Sequence, residues 1–396
     1  MNVFIPTSID YIISILIFIF SLSLPILIAK KIGLKYLESG LLTAATLVFV
    51  YFRYLIIASG PWSDSHYYYL TSFNNNLDIG FGSKAIFILT SMFSSIGIGF
   101  MPTMFLFSIL TVLTIQFLFA AYRLANNDRR NPALTLFFLI SIVPSVSFWG
   151  GAIGKDALAL LGVSMFCWAL VSRNLKIGVL IIGAILVMIV RPHIGILMFA
   201  ATAFASTAAK DIVSKYRILL LSASAATIFV ILPSIILYVG IDSANLSAEV
   251  LDTVEASGDR FKDSGSFISL SDMPIPLRML SYLFRPLPFE ASTITQFFAA
   301  LQNTIILGCV LYLSIKISYR GSWTRALGGV AMLLYALAAL TLLANVTSNL
   351  GIAVRQKQML IPPLLLALIY FDALPILRTS KKAMRLPRTS LAIRKI

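Results

Sequence analysis

The chain has 396 residues, 59% of them apolar and 12% charged, with a formal net charge of +15. Soluble globular chains are about 25% charged, so a mean hydropathy of +0.91 carried by recurrent uncharged runs excludes a water-soluble domain or a single-anchor protein. In a soluble chain this positive charge would point to nucleic acid; here its distribution is topological, and no nucleic-acid partner is implied.

The first apolar run, about 10–29, has no Lys or Arg before it and is followed by Lys30-Lys31, not by a small-residue cleavage site. It is expected as a retained span. Further spans are expected at about 38–59, 102–123, 132–149, 157–172, 177–190, 194–209, 218–240, 298–316, 326–345 and 358–375. The fold class is therefore all-α: a polytopic membrane protein of about eleven spans. Several fall short of the ~20 residues that a full crossing needs, most clearly the pair around Arg191, so tilted or broken helices are expected there.

Orientation follows from the basic residues. With the N-terminus outside, the inner loops and tail hold 21 of the 31 basic residues and 4 of the 16 acidic ones, leaving +17 inside and −2 elsewhere. Residues 85–100 are apolar enough to cross, but a crossing would move 18 of those 21 basic residues outside. They are expected as a helix in the outer interface. The large outer loop, 241–297, should carry a helix over 245–262, with Ser247 as N-cap. A second short helix should run from Pro276 to Arg285 and stop before Pro286. The whole forms one integral-membrane domain, 1–376, with a basic tail, 377–396, resting on the anionic lipids of the inner leaflet.

Cys167 and Cys309 both fall in apolar runs and read as small buried hydrophobes. No Walker loop, His-Glu-x-x-His, Cys/His metal spacing or dinucleotide fingerprint occurs, so neither a metal nor another cofactor is expected.

The polar residues that are costly in such a chain map to the outer side: Arg53, Asp64, His66, Lys155, Asp156, Arg191, His193, Arg278, Arg285, Glu290, Arg355 and Lys357. An arginine at the centre of a membrane helix costs roughly 2.5–3.5 kcal/mol on insertion scales. Each residue has a plain reading: snorkelling for Arg191, a hairpin tip for Lys155-Asp156, a basic stripe on headgroups for Arg278 and Arg285, and a helix start for Glu290. Together they cluster at span ends, where the outer side should be poor in basic residues. Arginines there can clamp a phosphate through forked hydrogen bonds, and neighbouring acids or histidines can act as a general base.

The order of these features resembles the bacterial polytopic oligosaccharide repeat-unit polymerases of O-antigen and exopolysaccharide synthesis, and more broadly the C-type glycosyltransferases. The likeness rests on Arg53-Tyr54 followed by Asp64 and Tyr68; Gly80-Phe81 opening the interfacial segment; Lys155-Asp156 after a small-residue hairpin; and the Arg191-Pro192-His193 turn. It continues in Phe284-Arg285-Pro286, Pro288-Phe289-Glu290, Asn349-Leu350-Gly351 and Arg355-Gln356-Lys357. The better-known members have two comparable arginine-rich outer loops, whereas this chain has one large loop and one of about 25 residues.

The resemblance implies transfer of a glycan from an undecaprenyl diphosphate carrier to the terminal sugar hydroxyl of another lipid-linked repeat unit, at the periplasmic face of the bacterial inner membrane. The partners would be that substrate, membrane lipids and a chain-length regulator. It assigns Arg191, Arg285 and Arg355 to the diphosphate, and Arg53 either to the diphosphate or to holding Asp64. Asp64 is the first choice of base and His66 the second, with Asp156 and Glu290 in reserve. Lys155, His193, Arg278 and Lys357 are further candidates. Rival readings are a lipid-linked oligosaccharide flippase, a polysaccharide ligase and a non-catalytic assembly subunit.

Overall fold

The structure, a computed structural model, describes residues 4–60, 62–74, 79–209, 214–239, 273–320 and 326–383, with the backbone alone for 227–239 and 374–383. The described chain is helical throughout, with no extended strand. In order the helices are α1 (Ser8–Ile32), α2 (Tyr36–Ser59), α3 (Asp64–Thr71), α4 (Ser83–Ser94), α5 (Phe100–Ala125), α6 (Pro132–Gly150), α7 (Lys155–Val171) and α8 (Ile177–Val190). They continue as α9 (Pro192–Ala208), α10 (Ser214–Val239), α11 (Ile275–Phe284), α12 (Ile294–Arg320), α13 (Leu327–Val346), α14 (Leu350–Gln356) and α15 (Ile361–Ala383). Single 3₁₀ turns lie at Pro288–Glu290 and Lys357–Met359.

Six of these helices, α1, α2, α5, α6, α12 and α13, are long and apolar enough to cross a membrane. A seventh span forms if the pair Leu350–Met359 and Ile361–Ala373, bent by 46°, counts as one. Among the described residues, six or seven of the expected eleven spans are thus long and apolar enough to cross, and others fall short. The reason is visible in α7, α8 and α9, with 17, 14 and 17 residues. At 1.5 Å per residue they reach only about 21–26 Å, short of a hydrocarbon core of about 30 Å. The bend before α15 has a local cause: Pro362-Pro363 lack backbone N–H groups and suit only the first turn of a helix, so a new helix starts there.

The helix α7 lies at the centre, packed against α5, α6, α8, α13 and α15. It crosses α8 closely because Gly162 faces the Gly183 carbonyl, where any Cβ would overlap it. The periphery is apolar and open instead. Ile9, Ile12, Ile15, Leu16 and Ile19 of α1 are exposed, as are Leu41 and Val48 of α2. A water-soluble surface avoids such continuous apolar faces.

The helix ends sort into two polar clusters. At one end, the buried carboxylate of Asp372 accepts hydrogen bonds from Arg129 Nη2 at 3.0 Å, Lys316 Nζ at 3.0 Å and Arg320 Nη1 at 3.2 Å. Arg123 pairs nearby with Glu38 at 2.8 Å and Asp128 at 2.7 Å, and donates to the Gly33 carbonyl at 3.2 Å. These basic residues all belong to the set that the charge count placed on one side. The other end holds Arg53, Asp64, Asp156, Arg191 and Arg355.

Helix α4 remains at that second end. Its first residue, Ser83, accepts from Lys155 Nζ at 3.3 Å, and its last, Ser94, accepts from Ser72 Oγ at 2.9 Å. The chain then turns back at Gly97, in the left-handed region at φ 80°, into α5. The expected second loop helix, 276–285, appears as α11 and stops at Phe284, before Pro286. The expected helix over 245–262 lies outside the described residues, as does most of the expected tail, although α15 continues to Ala383.

One packing joint ties α1 to α5. Asp10 caps α1 through Thr7 N–H at 2.8 Å and also accepts the Gly99 N–H at 3.1 Å, at the head of α5. A Cβ on Gly99 would overlap the Asp10 carboxylate. Gly99→Ala is therefore expected to destabilise the protein by about 1–3 kcal/mol, as overpacking does; a chemical-unfolding comparison with wild type in detergent tests it.

Candidate anion site at the Arg53 end

Five separate segments build the site, each for a local reason. Pro192 ends α8 and starts α9, and the restriction on the residue before proline keeps Arg191 out of the helical region, at φ −144° and ψ 75°. From that one-residue joint Arg191 Nη2 donates to Asp156 Oδ1 at 2.8 Å. Asp156 lies in the first turn of α7, where the helix dipole favours a carboxylate. Asn349 caps α14 by accepting from Gly351 N–H at 2.8 Å and Ile352 N–H at 3.2 Å, and the short helix so formed presents Arg355. Arg355 Nε bonds to Asp156 Oδ2, and Arg355 Nη1 donates to Asp64 Oδ2 at 2.6 Å. The Asp156 side chain is 6% exposed and the Asp64 side chain 63%. Asp156 is thus a sealed joint between two guanidiniums, and Asp64 is its open counterpart.

Arg53, near the end of α2, is partly buried with its guanidinium over Phe148 (4.7 Å to the ring centroid) and Trp149 (5.0 Å), at the close of α6. Its Nε is buried without a hydrogen-bond partner, and no ion pair to Arg53 forms among the described residues. A cavity of about 60 Å³ opens beside it, lined by Arg53, Asp64, Ser65, Trp149, Asp156 and Arg355 among others. That is several times the roughly 10–15 Å³ that a single water requires. Lys155 completes the shell through Ser83, whose hydroxyl also meets Tyr68. Four cations (Arg53, Lys155, Arg191, Arg355) against two carboxylates (Asp64, Asp156) leave the shell at +2.

The structure brings together Arg53, Asp64, Lys155, Asp156, Arg191 and Arg355 from the residues singled out in the sequence. Asp64 is held by Arg355, not by Arg53. Of the remaining candidates, His66, Glu290, Arg278, Arg285 and Lys357 lie outside this cluster. His66 is buried in an aromatic box, stacked on Trp62 (5.4 Å) and Phe100 (5.0 Å) with Phe4 edge-on at 4.7 Å. Glu290 binds Arg285, with Nε to Oε1 at 2.8 Å, and accepts the Leu287 N–H at 2.8 Å. Burial pushes the Glu290 carboxyl up, but these bonds and the Arg285 charge outweigh it and hold it below the usual carboxylate range.

Arg278 turns away from Arg285: it donates to the Met273 carbonyl at 2.7 Å and to Asn345 Oδ1 at 3.0 Å. Arg285 lies just outside α11, so the expected two-arginine helical stripe does not form. Lys357 is fully buried, and its Nζ donates to the Leu283 and Arg285 carbonyls, each at 3.1 Å. It pins the end of α11 to the segment carrying Arg355 and has no contact with the cavity. His193, exposed in the first turn of α9, lies at the edge of the shell, within electrostatic reach of Arg191 and Lys155. Phe148 and Trp149 were not singled out in the sequence; aromatic residues at a span end ordinarily belong to an interfacial belt, and only their stacking on Arg53 distinguishes them.

His66 gives a pH prediction. Its Nδ1 accepts from the Ser63 N–H at 3.2 Å and lies 2.9 Å from Ser63 Oγ, so the ring caps the start of α3. Burial lowers its pKa below the ordinary 6.5. The unfolded chain therefore takes up a proton first as pH falls, so the stability this group contributes is complete above pH 6.5 and declines as pH drops toward the lower native value. His66→Gln keeps the cap as a Ser-x-x-Gln box and should remove this part of the acid dependence, measured as unfolding midpoint against pH for the two proteins.

Fold and site together define an all-helical protein with six or seven helices, among the described residues, long and apolar enough to cross a membrane, and with a cationic, partly enclosed cavity at one end of its bundle. No protein-family model, characterised protein or solved structure matches the chain.

Proposed function

We propose that the protein is a membrane glycosyltransferase that polymerises undecaprenyl-diphosphate-linked oligosaccharide repeat units, with the Arg53 end facing the periplasm and the Asp372 end the cytoplasm of the bacterial inner membrane. The observation that carries this reading is Arg53: a partly buried guanidinium whose buried Nε has no hydrogen-bond partner and which forms no ion pair among the described residues, beside a cavity that also contains Arg355 and an exposed carboxylate. A buried unpaired charge is costly, and an anionic ligand is the economical remedy. The net +2 of the shell suits a diphosphate.

In the proposed reaction the acceptor hydroxyl oxygen forms a bond to the anomeric carbon of the donor glycan. The bond from that carbon to the diphosphate oxygen breaks, and the diphosphate leaves with the electron pair. The hydroxyl proton passes to the Asp64 carboxylate. Arg53 and Arg355 stabilise the charge developing on the leaving group, while Arg191 acts through Asp156 to position Arg355. Arg285 and Glu290, which form a separate pair, are not assigned to this step.

A flippase would place its polar site at the midplane, typically between broken helices of two related halves; here the shell lies at one end. The test is reconstitution of the purified protein in vesicles with a lipid-linked repeat unit. Chain growth is expected in wild type, falling about 10²–10³-fold in Arg53→Ala, as when one charge-stabilising donor is removed. Transbilayer movement of the lipid-linked sugar with no new glycosidic bond would replace this reading with the flippase.

A further inference from the structure

Asp64 and Asp156 both bond Arg355, but on different terms. Asp156 is sealed, holds two arginines and occupies Arg355 Nε. Asp64 is open to solvent and makes its one ion pair to Arg355 Nη1. Arg355 can lose Asp64 and stay in place. The backbone under Asp64 is also fixed: Ser65 Oγ donates to the Ile153 carbonyl at 3.0 Å, and Tyr69 hydroxyl donates to the Ile98 carbonyl at 2.8 Å, so α3 is tied to the α6–α7 connection and to the turn before α5. Burial pushes the Tyr69 hydroxyl up to about 12, which keeps it a donor. Exchange of partners at Arg355 then needs only a rotation of the Asp64 side chain, and exposed side chains rotate on ps–ns timescales.

We infer that Asp64 is a built-in occupant of the anion seat, which an incoming diphosphate displaces from Arg355. This rests on the anion-site reading above. One phosphoryl group pairs with Arg53 across the cavity, and the other takes the Arg355 Nη1 position that Asp64 vacates. Displacement frees Oδ2, the carboxylate oxygen that Arg355 holds, beside the bound leaving group, so the oxygen nearest the reacting centre is open to accept a proton only once the donor is seated. Without the donor, the pair covers Arg355 and keeps the cavity closer to neutral. Glu290 cannot take this part, because Arg285 and the Leu287 N–H already hold it.

The test is binding of inorganic pyrophosphate to the purified full-length protein in detergent, by calorimetry at low ionic strength. Asp64→Asn and Asp64→Ser remove the competing charge and should bind about two- to tenfold more tightly than wild type. Arg53→Gln should bind at least about tenfold more weakly. Equal or weaker binding in both Asp64 variants overturns the inference, and so does wild-type affinity in Arg53→Gln. Chain growth is scored separately. Its absence in wild type, with the binding pattern as stated, would remove the polymerase reading and leave the displaceable carboxylate standing.

Discussion

Asp156→Leu is expected to destabilise the folded protein by about 3–5 kcal/mol, the usual consequence of deleting one partner of a buried ion pair. Here one carboxylate serves two arginines, from the α8–α9 joint and from α14, so its loss leaves both without their shared anion. Leucine matches the branching of the carboxylate and is larger, so no cavity is left, and the cost is the lost anion together with crowding. Asp156→Asn should fall between the two, since an amide oxygen still accepts one of the hydrogen bonds. Chemical unfolding in detergent, or the half-life of thermal inactivation where unfolding is irreversible, gives the comparison. A change below about 1 kcal/mol for Asp156→Leu would show that this joint behaves like an exposed pair.

The second large effect is on rate. Asp64→Asn is expected to reduce kcat for chain growth about 10²–10⁴-fold, the range for loss of a positioned general base. Stability should change little, because the side chain is largely exposed and its one ion pair is at the cavity mouth. The apparent KM for the lipid-linked donor should stay level or fall, since the residue that competes for Arg355 is gone. A fall in kcat without a rise in KM separates loss of the base from loss of donor binding. A rise in KM with kcat unchanged would move Asp64 from the base to the binding role. Asp64→Glu retains the carboxylate on a longer arm and should recover part of the rate.

Much of the architecture was legible from local signals. Apolar runs marked the helices, and four of the basic residues that the charge count grouped together, Arg123, Arg129, Lys316 and Arg320, converge in the structure on Asp372, Glu38 and Asp128. The arginine–proline turn at Arg191 and the end of α11 before Pro286 follow from proline chemistry between adjacent residues. The number of spans was less legible. Hydropathy scores 14 to 17 apolar residues as a crossing, whereas in the folded chain α8 and its neighbours are short elements, α7 enclosed by other helices. Likewise the Arg278–Arg285 spacing of seven predicted a shared helical face, but the helix ended one residue too early for Arg285 to belong to it.

The amino-acid sequence by itself determined the helical class, the apolar periphery and which charges share an end of the bundle, because these depend on composition and on residues within a turn or two of each other. The tertiary structure decided the partnerships. Asp64 meets Arg355 across 291 positions of sequence, and Asp156 meets the same guanidinium across 199. Arg53 is left facing aromatic rings instead of an acid. A charge–charge contact is set by where whole helices pack, and that packing depends on side chains all along α5, α7, α8 and α13; no local pattern around Arg53 or Asp64 encodes it.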